Sequence, residues 1–498
     1  MKTYLTIIMA VLVAAGCAVG PDYEPPELPE ADAFSALAKE GANSAHHSDN
    51  AELFWRGFND PLLAELVEHT LQGNHDLQAM LARYQRAASL LRLSRREQWP
   101  SITSYARATD QHVADAERGA GAANGSVFDA GVALQWELDL FGRLARVSEA
   151  ARANLEASGA DVQAMQVALV GQLATRYFEL RGLQQQLAVA EQNIAFQQGS
   201  LNLIKSRVEA GRGTAFDVLR ARAQLETTRA AVPELRASIR ANMHRIAVLT
   251  GQTPQALVAK LQQPMPLPPP VHSLVVGTPG DVLRKRPDVR SAERRVAAAS
   301  ARIGVATADL FPRFTLAGLA SSLATDGSDL FSSGSEYRRI TLGIDWTFLD
   351  TALVNARIDA ADAEAAAQLS AYRQAVLLAL EETETWLVRH QQARARVAVL
   401  EDAVNASRQA VEQAQSRYEK GYIGYFELLT SELELTRIRD AYVRSQTAEA
   451  LAMVNVYRTV AGAPESFATH DPATLAAVEA EAGERNKVYP DGEQNVSD

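Results

Sequence analysis

The chain has 498 residues, more than one hydrophobic core ordinarily organises, and a formal net charge of −11. That charge leaves no basic field to gather nucleic acid, and the single cysteine, Cys17, excludes an intrachain disulfide or a cysteine-built zinc site. Aromatic residues make up 6% and alanine is abundant, a balance that suits packed helices better than a sandwich.

Residues 1–16 read as a signal peptide. Lys2 supplies the positive start, Tyr4 to Val13 an apolar run too short to span a bilayer, and Ala14-Ala15-Gly16 the small residues before a cleavage site. A cysteine directly after them resembles a bacterial lipobox, with Ala14 standing where leucine is usual. The expectation is a diacylglycerol and acyl lipid on Cys17, and Ala18 in the next position is compatible with the outer membrane; the bland alternative is ordinary cleavage near Gly16.

Residues 17–60 form an extended, proline-rich and then polar N-terminal segment. Asp60-Pro61 opens a short helix, Asn74 caps a second that runs to about Gln98, and Trp99-Pro100 ends it. Strands follow at about 101–109 and 127–140. In the latter, Val132, Leu134, Trp136, Leu138 and Leu140 alternate with Gly131, Ala133, Gln135, Glu137 and Asp139, a period of two with one apolar and one polar face. The linker 110–126 looks like an exposed loop.

A long helical hairpin completes a first repeat, 61–261. A proline-rich linker, 262–272, leads to a second repeat, 273–463, and residues 464–498 are an acidic tail of disordered composition. An offset of 210 pairs Trp136 with Trp346, Ser206-Arg207 with Ser416-Arg417, Gly211 with Gly421 and Asp217 with Glu427. Arg286-Pro287-Asp288-Val289 matches Asn74-His75-Asp76-Leu77, Phe311-Pro312 matches Trp99-Pro100, and strands recur at about 314–322 and 339–348. The long helices keep apolar residues at three-or-four spacing, a coiled-coil seam; if helical throughout, 145–210 spans roughly 100 Å at about 1.5 Å per residue. The returning helices are 214–250, where Pro233 predicts a kink, and 424–461.

Four amphipathic strands with no separate core to cover them fit a sheet with one face on lipid. Backbone groups in lipid must be satisfied internally, so such a sheet has to close, and four strands are too few, because membrane barrels begin at about eight. The chain is therefore expected to oligomerise, and a trimer gives twelve strands. A soluble coiled-coil protein with a small sheet packed on its helices stays open on the strand pattern alone.

Several motifs of the chain are similar to those of the outer membrane factor family, the TolC-like channels, and of its NodT-type lipoprotein branch. They are Cys17 to Pro26, Trp55 to Leu63, Arg286 to Val289 with Ala292-Glu293, Phe311-Pro312, Asp345-Trp346 and the two glycine turns, over residues 17–464. The resemblance implies a mostly α protein of two tandem repeats. Long coiled-coil hairpins would form a periplasmic α-barrel, and four strands per chain would join a 12-stranded trimeric β-barrel. It implies an outer membrane efflux channel, lipid-anchored, that passively conducts drugs or other small molecules from a periplasmic adaptor and an inner-membrane pump of the RND type. Type I protein secretion is the alternative duct, and a periplasmic adaptor is disfavoured because an adaptor carries one hairpin rather than two.

No enzymatic chemistry is legible. There is no phosphate-binding loop or His-Glu-x-x-His, His46-His47 lacks companion ligands, and Gly211-Arg212-Gly213 follows a helix rather than a strand, so no cofactor is expected. The resemblance implies instead that the hairpin tips, Gly211 and Gly213 with Gly421 and Gly424, close the tube and dock the adaptor. By position it implies a Tyr418–Asp217 hydrogen bond as a latch and Glu427 in an acidic ring, with Tyr422 and Tyr425 beside the aperture. Thr430 stands where the ring's second carboxylate is expected and Ile423 where some members have arginine. The bulkier second turn is expected to line the aperture and the first to brace it.

Overall fold

The computed structural model of the chain describes residues 18–28, 33–35, 55, 58–112, 125–267 and 276–460. The signal peptide, Cys17, His46-His47, most of the 110–126 loop, 268–272 of the linker and the acidic tail lie outside the described residues.

In the first repeat, helices α1 (Pro61–Gly73) and α2 (His75–Glu97) precede strands β1 (Ser101–Gln111) and β2 (Gly125–Leu138), then helices α3 (Arg143–Glu209) and α4 (Ala215–Leu249). A short helix α5 (Val258–Leu261) leads to the second repeat: α6 (Pro279–Lys285), α7 (Pro287–Ala308), β3 (Arg313–Ala324), β4 (Glu336–Asp345), α8 (Thr351–Glu419) and α9 (Tyr425–Val460). Helix α4 runs through Pro233 without a break in its assignment. Among the described residues no helix is long and apolar enough to cross a membrane.

The caps fall where the side chains ask for them. Asp60 accepts from the backbone N–H of Leu62 (3.0 Å) and Leu63 (3.1 Å), and Asn74 from those of Asp76 (3.0 Å) and Leu77 (3.1 Å). Asn74 also donates to the carbonyl of Leu249 at the end of α4 (3.0 Å), and Arg286 donates to that of Thr459 at the end of α9 (3.4 Å). Leu249 and Thr459 are related by the 210 offset, so each repeat ties its short helices to the end of its own returning helix. At the first junction a Cβ on Gly251 would lie 2.1 Å from the carbonyl oxygen of Gly73, and Gly251 has φ +76°. Only glycine fits that crossing.

By contacts the described chain falls into two compact units. One comprises the described residues of Met1–Glu27 with Ala82–Gly159 and Ser291–Gln374. Its sheet is antiparallel throughout, in the order β1-β2-β3-β4. The register sets Ile102, Leu134, Gly318 and Ile340 in one row and Trp136, Leu316 and Leu342 in the next on the same face. Ser101, Gln135, Ala317 and Thr341 share a row on the opposite face. The apolar face is open: Ile340 is 85% exposed and Ile102 65%. Each edge strand, β1 and β4, pairs on one side only.

Strands β2 and β4 end earlier than the alternation predicts. Asp139 accepts from the N–H of Leu144 (3.1 Å) and Ala145 (2.8 Å), and Asp350 from that of Leu353 (3.2 Å), so the segments after Leu138 and Asp345 are capping turns for α3 and α8. Trp346 and Phe348 therefore lie beyond β4. Both repeat tryptophans tie these junctions down: Trp136 donates to the carbonyl of Gln98 and Trp346 to that of Leu310, each at 3.0 Å. The N-terminal segment is held in this unit too. Arg146, with a side chain 5% exposed, donates to the carbonyls of Val19 (3.1 Å) and Gly20 (3.3 Å) and pairs with Asp22 (2.8 Å). A Cβ on Gly142 would lie 2.4 Å from that of Ala18, so the chain next to Cys17 sits against the turn between β2 and α3.

The other unit comprises the described residues of Leu28–Leu81, Ala160–Arg290 and Ala375–Asp498. Leu63, Leu173 and Leu180 are fully buried in it, each burial worth about 2 kcal/mol. Arg181, also fully buried, donates to the Tyr177 hydroxyl (3.2 Å), Gln184 (2.8 Å) and the carbonyl of Gln263 (2.8 Å), while Tyr177 donates to Asp60. A buried guanidinium is tolerable only with such partners. In the second repeat Glu382 bridges Arg286 (3.0 Å) and Arg458.

Candidate functional site: the paired hairpin tips

Each long helix ends in the same hydrogen-bonded turn. In the first repeat the N–H of Arg212 bonds the carbonyl of Arg207 (2.8 Å) and that of Gly211 the carbonyl of Val208 (3.0 Å). In the second, Tyr422 bonds Arg417 (2.9 Å) and Gly421 bonds Tyr418 (3.0 Å). This nested pair is the Schellman motif. Gly211 has φ +70° and Gly421 φ +78°, while a Cβ on either would meet nothing within 4 Å. Glycine is thus required by backbone conformation and not by crowding.

The returning helices start differently. Thr214 and Asp217 form a capping box: Thr214 accepts from the N–H of Asp217 (3.2 Å), and Asp217 accepts from the N–H (3.3 Å) and hydroxyl (2.7 Å) of Thr214. The equivalent of Thr214 is Gly424, which offers no side chain. A Cβ there would come 3.2 Å from the Glu427 carboxylate, so glycine leaves that carboxylate room over the first turn of α9, where negative charge is favoured. Gly213 borders Val208, 3.0 Å from where its Cβ would be.

Behind the turns, Leu201, Ile204, Ala221, Leu225, Tyr418, Tyr425, Leu428 and Leu429 form one buried cluster from α3, α4, α8 and α9. The Tyr418 and Tyr425 rings lie 6.1 Å apart, and burial pushes the Tyr425 hydroxyl above its ordinary pKa. Outside the cluster Tyr422 is 76% exposed and Phe216, Leu219, Phe426 and Glu427 are also exposed.

The expected Tyr418–Asp217 latch is not formed. The Asp217 carboxylate is taken by its own helix cap, and Tyr418 is buried with its ring beneath an arginine. The contacts that join the hairpins are others. The Arg207 guanidinium carbon stands 4.2 Å from the Tyr418 ring centre, and its Nη2 donates to the carbonyl of Glu419 (2.8 Å). Arg220 stands 4.9 Å from the Phe426 ring and 5.6 Å from Phe216. Ser200 donates to Glu432 (2.9 Å), a carboxyl 4% exposed and pushed up to about 7 by burial. Sequence reasoning missed Arg220, Ser200 and Glu432 and gave Arg207 no role. The available signal was divergence between the copies: the 210 offset sets Val208 against Tyr418, Arg220 against Thr430 and Arg222 against Glu432.

Two duplicated hairpins and an open-faced antiparallel sheet match one described family over both repeats: the pattern named Outer membrane efflux protein covers residues 66–252 and 278–462. The chain belongs to that family. Nodulation protein T of Rhizobium leguminosarum bv. trifolii is 30% identical over 460 residues, 89% of this chain and 94% of that protein. The toluene efflux pump outer membrane protein TtgF of Pseudomonas putida is 29% identical, over 93% of this chain and 97% of its own. Among solved structures the outer-membrane channel OprN superposes with TM-score 0.84 at 38% identity, over 90% of this chain and 99% of its own.

As an outer membrane efflux protein, the chain is the outer membrane channel of an export system, mostly helical, with two tandem repeats and a large periplasmic helical part. Its four strands are the part that joins the β-barrel, and Ile102 and Ile340 are exposed on their apolar face. The family is one of channels.

Proposed function

We propose that the chain works as a homotrimeric duct in a tripartite system of the RND type, taking drugs, solvents or other small molecules from a periplasmic adaptor and an inner-membrane pump. One observation carries the reading: a four-stranded sheet with an exposed apolar face and two unpaired edges, β1 and β4. In lipid those edges have to pair, and β4 of one chain meeting β1 of the next closes twelve strands in a trimer. The adaptor docks on the tips around Gly211 and Gly421, where Phe216, Leu219, Tyr422 and Phe426 are exposed. The names of relatives such as the toluene pump protein support a small, apolar cargo. A lipid on Cys17 anchors each chain, and the seat of Ala18 against the strand–helix turn supports an anchor at the membrane edge.

The test is a deletion strain complemented by this chain, with a drug and solvent sensitivity screen beside a survey of secreted proteins. Restored resistance with an unchanged secretome is expected. Unchanged sensitivity with one exported protein lost would refute the small-molecule reading in favour of protein secretion. Purified protein that stays monomeric in detergent and in lipid would refute the trimer.

A further inference from the structure

We infer that the two hairpins of this chain are locked by a pair of arginines from the first hairpin, Arg207 and Arg220, seated on aromatic rings of the second. The inference deepens the duct reading and rests on it for its consequence, which is closure. Arg207 sits near the end of α3. It covers the face of Tyr418 at 4.2 Å and donates to the Glu419 carbonyl at 2.8 Å. That carbonyl belongs to the last turn of α8 and has no partner within the helix, so one guanidinium satisfies an orphan acceptor and a ring together. It also places positive charge at the negative end of the α8 dipole. Arg220, on the second turn of α4, makes only the ring contact, standing 4.9 Å from Phe426 in the first turn of α9 and 5.6 Å from Phe216 of its own helix.

Neither arginine has a carboxylate partner among the described residues. Both are half-buried, where a guanidinium–ring contact is stronger than at a fully exposed site. Planarity matters, because a guanidinium can lie on a ring and still aim an N–H in its own plane. The lock runs one way only. Gripping in the reverse direction would need Arg417 on Val208 and Thr430 on Phe216, which offers neither a ring to the first nor a cation to the second.

Single-channel conductance of purified protein in planar bilayers, with hydrogen exchange of the same protein in detergent, tests the lock. Arg207→Gln with Arg220→Gln is expected to raise resting conductance several-fold and to deprotect the amides of 415–430, leaving those of 165–180 unchanged. Tyr418→Phe keeps the ring and loses only the hydroxyl, so it is expected to behave as wild type, whereas Tyr418→Leu opens. Arg207→Lys keeps the charge without the plane and is expected to open partially. Wild-type conductance and protection in the double arginine variant would overturn the lock. So would Tyr418→Phe opening as far as Tyr418→Leu, which would return the role to a hydroxyl hydrogen bond. Deprotection in the arginine variant of a wild-type protein that never conducts would sustain the lock and overturn the duct.

Discussion

Replacing Glu432 by glutamine removes a buried carboxyl beside Ser200, and its effect is calculable. The carboxyl is 4% exposed, held by a single Ser200 hydroxyl at 2.9 Å, and burial raises its pKa from 4.5 to about 7. No charged group on α3 or α9 contributes to that rise; Tyr425 of the same helix lies near, and Tyr418, Asp217 and Arg220 reach only as far as Tyr425. The folded-state pKa of an acid is raised here, so the packed tip binds the proton more tightly than the opened one. Packing is at full strength below the opened-state value of 4.5, weakens as pH rises towards 7, and levels off above it. At about 1.4 kcal/mol per pKa unit the loss is about 3 kcal/mol by pH 8 and about 1 kcal/mol at pH 5. Glutamine is neutral throughout. Amide exchange over 197–204 and 425–435, corrected for the intrinsic rate, is therefore expected to show the variant gaining about a hundredfold in protection on wild type between pH 5 and pH 8. A wild-type to variant ratio that does not move with pH would refute the reasoning, and so would a ratio moving the other way.

Four further outcomes follow from the tips, the core and the anchor. Glu427 is exposed in the first turn of α9, three per trimer, so Glu427→Gln is expected to reduce cation preference in reversal-potential measurements without changing thermal stability. Gly421→Ala places a Cβ on a φ of +78° in open space and is expected to cost about 1 kcal/mol, read as a small fall in melting temperature, through strain alone. Arg181→Ala leaves the buried Tyr177 hydroxyl, Gln184 and the Gln263 carbonyl without their donor; a cost of about 3 kcal/mol or more is expected, and a neutral result in chemical denaturation would show that the site rehydrates. Cys17→Ser is expected to abolish labelled fatty-acid incorporation and to impair sorting more than channel activity, checked by fractionation and by conductance of the correctly placed fraction.

The architecture was legible because its signals are local or repeated. A period of two shows a strand with unlike faces wherever it lies, and the glycine turns, the Asn74 cap and the 210 offset are read along the chain without knowing the fold. What failed to read were ambiguities between neighbours and partners far apart. Asp139 continues the alternation of β2, yet an aspartate four residues before a helix serves better as its cap, and Asp350 caps α8 from the position just before it, so both strands stop short. The latch failed for a related reason. Asp217 stands three residues after Thr214, a capping box visible in the sequence, and a carboxylate already bonded locally is a poor long-range acceptor. Arg207 could have been singled out only by noticing that its copy, Arg417, has lost the ring it would need at Val208.

That lost ring bears on how the tube comes apart. In the proposed trimer six hairpins alternate round the axis, and each meets one neighbour from its own chain and one from the next. Arginine-on-ring contacts exist across the first kind of seam, and the residues that would make them across the second, Arg417 with Val208 and Thr430 with Phe216, cannot. A ring with strong and weak joints in alternation divides at the weak ones. The seams between chains would then part first, and an adaptor would still have to release the arginine contacts within each chain before the aperture opened fully.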